Sequence, residues 1–348
     1  MNKRPLRRSP NCSLPDLAKY KIASARPLGD GETQTVYFMT NKKVGILGIP
    51  LGFGAGQTGS ELGVNAMRLT RFRGMGLAEH IRHLGYEAND HGDAWIVQPT
   101  SQLDTGNPKH LAEMLASSEK IIEKVAAMLA DNEFPIILGG DHAIAIPTFS
   151  AIANHYKQQG NDIGLIWFDA HADINTPETS PSGNIHGMPL ATILGHGNAE
   201  LVNLCGYAQK LNPKYFAHIG ARDVDPGERG MIEKLGLRDN FYTMSDIDKR
   251  GMAACVEDAV AIASQAPGGY AVTFDIDMID PRFAPGSGTL VRGGTTYREA
   301  HLALEMIAAH GGMRSFEIVE VNPLLDQSNI TVELACELIL SALGKTIL

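Results

Sequence analysis

Residues 167–189 concentrate side chains whose types and spacing could bind a metal or carry out acid–base chemistry. The segment WFDAHADINTPETSPSGNIHGMP places Asp169, His171 and Asp173 two residues apart, directly after an apolar run. His186 follows after a loop rich in Ser, Thr, Pro and Gly. Carboxylates are costly to bury unless a cation offsets their charge. The segment therefore predicts a site that is built around a cation.

Ionisable residues also follow three other apolar runs. His142 follows PIILGG, Asp275 and Asp277 lie at the end of YAVTFDI, and Glu320 lies near the end of SFEIVEV. In an extended backbone, residues at i, i+2 and i+4 project to one side, so closely spaced members of these motifs converge. The candidate metal ligands are therefore His142, Asp169, His171, Asp173, Asp275 and Asp277.

This ligand set favours hard divalent cations. Four carboxylates and two imidazoles exceed what one tetrahedral Zn²⁺ binds. They suit Mn²⁺, and Co²⁺ or Ni²⁺ take similar ligands; two ions sharing carboxylates would activate a water molecule near neutral pH. The alternative is that each aspartate only caps a helix or closes a turn. A single motif does not exclude this alternative, but three motifs with complementary ligand types favour the metal centre.

The apolar runs themselves predict the elements that position these residues. They are KVGILGI (43–49), PIILGG (135–140), IGLIWFD (163–169), YFAHIGA (215–221), YAVTFDI (270–276) and SFEIVEV (315–321). Residues 110–132 and 297–310 instead show the 3.6-residue period of amphipathic helices. Continuous apolar strands that alternate with helices predict an α/β protein, a single-domain three-layer α/β/α fold with a mostly parallel central sheet. Sites in such sheets lie beyond the carboxyl ends of the strands, where the candidate residues fall.

The amino-terminal part of the chain has a different character. Residues 1–40 lack sustained periodicity, so we predict an N-terminal extension followed by a catalytic domain at 41–348. TQTVYFMT (33–40) is compatible with a short strand. The basic opening MNKRPLRRSP has no apolar segment behind it and so is not a secretory signal. An extension without fixed structure is favoured over an organelle transit peptide.

Bulk properties restrict the partners. A net charge of −9 in 348 residues argues against a general nucleic-acid or anionic-membrane surface. The sequence contains no run of about 18 apolar residues, so no transmembrane span is predicted. The four cysteines are scattered, which favours a reducing compartment, the cytoplasm. The other histidines are predicted to be solvated or ordinarily hydrogen-bonded residues of helices and loops: His80, His83, His91, His110, His155, His196, His218, His301 and His310.

Six motifs, taken in order, resemble those of the ureohydrolases, and most closely the arginase family. They are GGDHAIAIP, FDAHADINTP, SGNIHGMP, GARDVDPGE, TFDIDMIDPRFAPGSGT and EVNP. The resemblance covers the chain from about Lys43, and the loop NTPETSPSGNIHGMP is similar to that of arginases rather than agmatinases. It implies an arginase-like fold with two Mn²⁺ ions and a homo-oligomer, a trimer or hexamer. The implied reaction is hydrolysis of L-arginine to L-ornithine and urea by a metal-bridging hydroxide.

The resemblance also implies roles for individual residues. His142, Asp169, Asp173 and Asp275 would bind one ion, and Asp169, His171, Asp275 and Asp277 the other. Asp173 would orient the nucleophile, Glu320 would pair with the guanidinium, and His186 would move a proton to the departing amine with a pKa near neutrality. Asn175 and Ser182, with Ser180 and Asn184 as further candidates, would contact the α-carboxylate. Asp225 would meet the α-ammonium group and Thr296 would help to line the site.

Two alternatives stay open at this point. The first is another ureohydrolase, acting on agmatine, guanidinobutyrate or guanidine. The second is a non-catalytic relative that keeps the fold as a metal-binding scaffold. Loss of a ligand would favour the scaffold, and none of the six candidate ligands is lost.

Overall fold

The computed structural model describes residues 25–27, 33–35, 43–101 and 103–347. Within these ranges the strands are β1 (Ala25–Pro27), β2 (Thr33–Thr35), β3 (Lys43–Ile49), β4 (Glu87–Asp93), β5 (Phe134–Gly139), β6 (Gly164–Phe168), β7 (Phe216–Ile219), β8 (Phe241–Tyr242), β9 (Tyr270–Asp275) and β10 (Met313–Val319). The helices are α1 (Gly63–Leu69), α2 (Leu77–His83), α3 (Leu111–Ala130), α4 (Ala145–Gln158), α5 (Pro189–Ile193), α6 (Ala199–Val202), α7 (Pro226–Lys234), α8 (Met244–Arg250), α9 (Met252–Ala263), α10 (Tyr297–His310) and α11 (Ile330–Ala342).

Eight strands form one fully parallel sheet in the order β4-β3-β5-β10-β9-β6-β7-β8. All six predicted apolar runs are strands of this sheet, and the predicted helices 110–132 and 297–310 are α3 and α10. The sequence analysis did not predict β4 or β8. The first is a polar edge strand, EANDHGD, and the second has only two residues, so neither contains an apolar run.

Apolar side chains on both faces of the sheet explain the layers. In β6, Ile166 and Phe168 pack into one core, and Leu165 and Trp167 pack into another on the opposite face. The first core includes residues of α1, α2, α9, α10 and α11, and the second includes residues of α3, α4, α5 and α7. The structure thereby confirms the predicted three-layer α/β/α architecture and has a fully parallel sheet.

The amino-terminal segment is described only in part. β1 and β2 pair antiparallel, so the strand predicted within 33–40 is present at Thr33–Thr35. The other predictions for residues 1–40 lie outside the described residues, and the proposed boundary at 41 stays a prediction. Among the residues that the structure describes, no helix is long and apolar enough to cross a membrane.

Candidate active site

The carboxyl ends of four neighbouring strands, β5, β10, β9 and β6, carry the candidate site. His142 lies in a short 3-10 turn after β5, and Glu320 follows β10 directly. Asp275 ends β9, and Asp169 is the first residue after β6. The parallel order of the sheet therefore gathers at one edge residues that are far apart in the sequence.

The first group of possible ligands surrounds His142. Its Nδ1 lies 3.0 Å from Asp169 Oδ2, 3.1 Å from Asp173 Oδ2 and 3.3 Å from Asp275 Oδ2. All four side chains are buried. One ligand atom from each of His142, Asp169 and Asp173 lies within 4.8 Å of the other two, close enough for the three residues to hold one metal ion.

The second group shares Asp169 with the first. His171 Nδ1 lies 3.4 Å from Asp169 Oδ1 and 3.2 Å from Asp277 Oδ2. One ligand atom from each of these three residues likewise lies within 4.8 Å of the other two. Thr289 Oγ1 donates to Asp277 Oδ2 over 2.9 Å and fixes that carboxylate. Two adjacent ligand groups joined by one aspartate are the geometry expected for a pair of cations.

The backbone reaches this arrangement differently from the prediction. β6 ends at Phe168, and Asp173 has a left-handed φ of 50°. Asp169, His171 and Asp173 therefore do not project side by side from one extended strand. His171 turns to Asp277 while Asp173 turns to His142, so the irregular turn divides the motif between the two groups.

A divalent cation fits these residues. Nδ1 of His142 is buried and makes no hydrogen bond within the described part of the chain, although three carboxylate oxygens surround it. One imidazole proton cannot satisfy three carboxylates, whereas a cation among them offsets their charges. The mixed oxygen and nitrogen donors suit Mn²⁺ and related divalent ions.

The pKa values of two buried carboxyl groups are raised, which also indicates that too little positive charge surrounds them. Burial, and then the neighbouring Asp277, raise the pKa of Asp275 well above its ordinary value. Burial and Asp169 raise the pKa of Asp173 to about 6. A bound cation would lower these pKa values because it stabilises the ionised carboxylates.

His186 and Glu320 form a pair beside the metal groups. His186 Nδ1 lies 3.1 Å from Glu320 Oε1, which also accepts a hydrogen bond from the His142 backbone N–H over 3.0 Å. Burial lowers the pKa of His186, but the hydrogen bond and the charge of Glu320, together with the nearby Asp141 and Asp173 carboxylates, raise the pKa to about 9. This pKa lies above the near-neutral value expected from the sequence and favours the protonated imidazole at neutral pH.

A cavity of about 190 Å³ opens above these groups. It is smaller than the roughly 300–1,000 Å³ of sites for drug-sized ligands, so it suits a small metabolite. The predicted residues that line it are His171, Asp173, Asn175, Ser180, Ser182, His186, Asp225 and Asp275. Asn175 Nδ2 donates to Asp225 Oδ2 over 2.7 Å, which joins the two ends of the proposed substrate-binding set.

Other predicted residues lie outside this lining. His142, Asp169 and Asp277 are buried below it, and Glu320 is buried beside His186. Asn184 instead accepts a hydrogen bond from Lys109 Nζ over 3.0 Å.

Thr296 is placed differently from the prediction. It is exposed and caps the amino terminus of α10 through a reciprocal pair of hydrogen bonds with Glu299. We therefore correct its predicted place in the site lining, because its hydroxyl serves the helix cap.

Three polar residues of the lining were not predicted from the sequence, Asp223, Glu228 and Thr289. All three lie in motifs already quoted, GARDVDPGE and APGSGT. Glu228 is the third residue of α7, where its carboxylate accepts the Asp225 backbone N–H over 3.0 Å. The spacing Asp-Pro-Gly-Glu is a capping box, a signal that places Glu228 beside Asp225. Burial raises the pKa of Glu228 to about 8.

Two of the other histidines lie in strands, contrary to the expectation of helix or loop positions. His91 lies in the edge strand β4, with its Nε2 2.5 Å from Glu133 Oε2. His218 lies in β7, is fully buried and stacks on Phe241, and neither ring nitrogen has a partner among the described residues. Burial lowers its pKa to about 4, so it is a neutral core residue.

A larger cavity, about 540 Å³, lies elsewhere, beside α7 and the start of α8. Apolar residues such as Ile232, Phe241 and Met244 contribute to its lining, together with three arginines. Neither of the two metal-ligand groups borders it. The size of a cavity alone therefore does not identify the active site, and the smaller cavity is the candidate site.

Comparison with known proteins agrees with this geometry. A family model described as the Arginase family matches residues 42–344. The chain belongs to the arginase family. It is 44% identical to an arginase of Bacillus subtilis and 41% identical to an arginase of Brevibacillus brevis, in each case over 88% of this chain and 100% of the relative. The crystal structure of the arginase from Bacillus caldovelox is 39% identical and superposes with a TM-score of 0.82 over 88% of this chain and 99% of that one.

Proposed function

We propose that the protein is an arginase that hydrolyses L-arginine to L-ornithine and urea at a pair of divalent cations. The observation that carries this proposal is the pair of ligand groups joined by Asp169 at the floor of a small polar cavity. Membership of the arginase family supports the same reaction. The residues present fit Mn²⁺, and we propose two such ions in each subunit.

The first proposed role of the site is to hold the cations and the nucleophile. His142, Asp169, Asp173 and Asp275 would hold one ion, and Asp169, His171, Asp275 and Asp277 the other. The ions would supply Lewis acidity that activates a water molecule near neutral pH. The Asp173 carboxylate, which faces the cavity, orients that water molecule by accepting its proton in a hydrogen bond.

The second role is to complete the cleavage. Attack of water on the guanidinium carbon forms a C–O bond and breaks a water O–H bond, whose proton passes to the hydrogen-bonded Asp173 carboxylate. The C–N bond to the departing amine then breaks as the second O–H proton is released and the urea C=O bond forms. That amine leaves only when it gains a proton, and His186 has a pKa of about 9 and faces the cavity. His186 therefore donates its proton to the departing nitrogen. The proposed role of Glu320 is to pair with the guanidinium and to hold His186 through its Oε1.

The third role is substrate selection. Asn175 and Ser182, with Ser180, offer hydrogen-bond donors for the α-carboxylate of arginine. Asp225 offers a carboxylate for the α-ammonium group, and the adjacent Glu228 also lines this part of the cavity. Agmatine lacks the carboxylate, so this set of donors would discriminate against it.

The remaining features of the proposal concern the domain, the assembly, the compartment and the metal. Residues 41–348 are the proposed catalytic domain, the proposed assembly is a homo-oligomer, and the proposed compartment is the cytoplasm. Co²⁺ or Ni²⁺ in place of Mn²⁺ is the alternative for the metal.

One experiment separates an enzyme from a non-catalytic scaffold. The protein is loaded with Mn²⁺, its metal content is measured by inductively coupled plasma mass spectrometry, and urea release is measured on arginine, agmatine, guanidinobutyrate and guanidine. We expect two ions per subunit and urea release from arginine. Full metal loading without urea release from any of the four compounds would contradict the proposal and favour the scaffold.

A further inference from the structure

A buried acidic residue, Glu317, lies in the sheet beneath the candidate metal site and has no part in the proposed reaction. It belongs to β10, and only 5% of it is exposed. Its surroundings include the apolar side chains of Ile137, Phe149 and Trp167. A carboxyl group in such surroundings is costly unless hydrogen bonds stabilise it. The contacts of Glu317 therefore call for an explanation.

Those contacts form a chain that leads to His142. Thr273, on the neighbouring strand β9, donates its hydroxyl proton to Glu317 Oε1 over 2.9 Å. The same hydroxyl oxygen lies 3.0 Å from His142 Nε2. A threonine hydroxyl has one proton, so after donating it to Glu317 the oxygen accepts at its other contact. With Glu317 ionised and therefore an acceptor, Nε2 of His142 carries the proton of this hydrogen bond.

The direction of this chain decides which nitrogen of His142 is available to a metal. A neutral imidazole that is protonated at Nε2 has its lone pair at Nδ1. Nδ1 is the atom that faces Asp169, Asp173 and Asp275. The plane of the ring is fixed as well, because His142 stacks on Trp167 with centroids 4.2 Å apart.

We infer that Thr273 and Glu317 are positioning residues, which hold His142 in the tautomer whose Nδ1 binds the first cation. The inference rests on the proposed metal-dependent function. Without the Thr273 hydroxyl, the Nε2 proton loses its acceptor, and the imidazole proton moves to Nδ1, where the carboxylates accept it. A proton at that nitrogen excludes the cation. The buried Glu317 is explained as the group that orients the threonine proton.

The test is a Mn²⁺ titration of the purified protein in which electron paramagnetic resonance measures the free Mn²⁺ at each addition. Thr273→Val keeps the shape of the side chain but removes the hydroxyl, and Thr273→Ser keeps the hydroxyl. Loss of such an outer hydrogen bond typically weakens metal binding about 10- to 100-fold. We expect Thr273→Val to weaken the binding of one of the two ions by that factor. The affinity for the other ion should stay within about threefold of that of the unmodified protein. Thr273→Ser should bind both ions like the unmodified protein.

A matched control and a second variant keep the test decisive if Thr273→Val folds poorly. Thr192 is also a buried threonine, but its hydroxyl donates to the Met188 carbonyl over 3.0 Å, so Thr192→Val should leave both affinities unchanged. Glu317→Leu removes the acceptor of the Thr273 proton and should weaken the binding of the same ion that Thr273→Val affects.

The inference is overturned if Thr273→Val and Glu317→Leu bind both ions normally, or if Thr273→Ser loses as much affinity as Thr273→Val. The proposed function would survive either result. If the unmodified protein neither binds Mn²⁺ nor releases urea, the proposed function itself fails.

Discussion

At the scale of residues, the site holds two acidic side chains on backbone that non-glycine residues rarely adopt. Asp173 has a φ of 50° and Glu320 a φ of 61°. Left-handed backbone at such residues costs about 1–3 kcal/mol and persists where the surrounding structure enforces it. Here the conformation turns Asp173 towards His142 and Glu320 towards His186. The geometry of the site is therefore maintained at the expense of local stability.

Asp277 offers a direct test of the second ligand group. Asp277→Ala removes the carboxylate that faces His171 and should reduce the bound Mn²⁺ from two ions to about one per subunit. Turnover should fall at least ~100-fold, because the remaining ion activates water less strongly. Metal analysis and urea release measure the two effects. Asp258→Ala, which changes an exposed aspartate paired with Arg250, is the control. Unchanged metal content and rate would refute the assignment.

Glu228 predicts a pH-dependent stability. Burial raises its pKa from 4.5 to about 8, so between these values the native state keeps a proton that the unfolded state releases. The free energy of unfolding therefore falls as the pH rises through this interval. Glu228→Gln cannot ionise, and its amide oxygen still accepts the Asp225 N–H. The variant should match the unmodified protein below pH 4.5 and have a higher Tm above about pH 8. A Tm difference that is independent of pH would contradict this explanation.

At the scale of elements, the sequence predicted the strands and helices whose positions are determined by burial of apolar side chains. The six strands with continuous apolar runs and both long amphipathic helices were predictable because burial on two faces imposes the pattern. β4 was not predictable in this way, because it is stabilised by pairing with β3 and by polar contacts such as that of His91 with Glu133. Thr296 was misplaced although its spacing from Glu299, Thr-x-x-Glu, is the sequence signature of a capping box at the start of α10.

The loop that carries Asn175 to Asn184 is held by a segment that precedes α3. The Lys109 backbone N–H donates to the Gly183 carbonyl over 2.9 Å, and Lys109 Nζ donates to Asn184 Oδ1 over 3.0 Å. These bonds fix the part of the loop that presents Ser180 and Ser182 to the cavity. Elements remote in sequence thus determine the shape of the proposed carboxylate-binding loop.

Loosening this contact should affect binding more than chemistry. Lys109→Met removes the bond to Asn184, and one hydrogen bond contributes about 1 kcal/mol, which corresponds to a roughly fivefold rise in KM for arginine. The kcat should stay within about twofold, because the metal ligands are untouched. Steady-state kinetics of Lys109→Met are compared with those of Lys120→Met, an exposed lysine of α3. A fall in kcat at constant KM would contradict the proposed role of the loop.

At the scale of the whole molecule, bound cations would connect the ends of the strands that carry the site. The ligands come from β5, β6 and β9 and their following turns, so metal binding should stabilise the entire sheet. A ligand at 100 times its Kd stabilises the native state by about 2.7 kcal/mol per site. Removal of metal with a chelator should lower the Tm, and added Mn²⁺ should restore it. Asp277→Ala should show a smaller shift, whereas equal shifts in both proteins would contradict a stabilising second site.

The central claim is that the cavity selects arginine through its α-carboxylate and α-ammonium groups. The most direct measurement is kcat/KM for urea release from L-arginine and from agmatine by the Mn²⁺-loaded protein. Because unpaired polar groups of the site reject an analogue that lacks their partner, we predict a preference for arginine of at least ~100-fold. A kcat/KM for agmatine equal to or greater than that for arginine would contradict the claim and identify the protein as a ureohydrolase of another specificity.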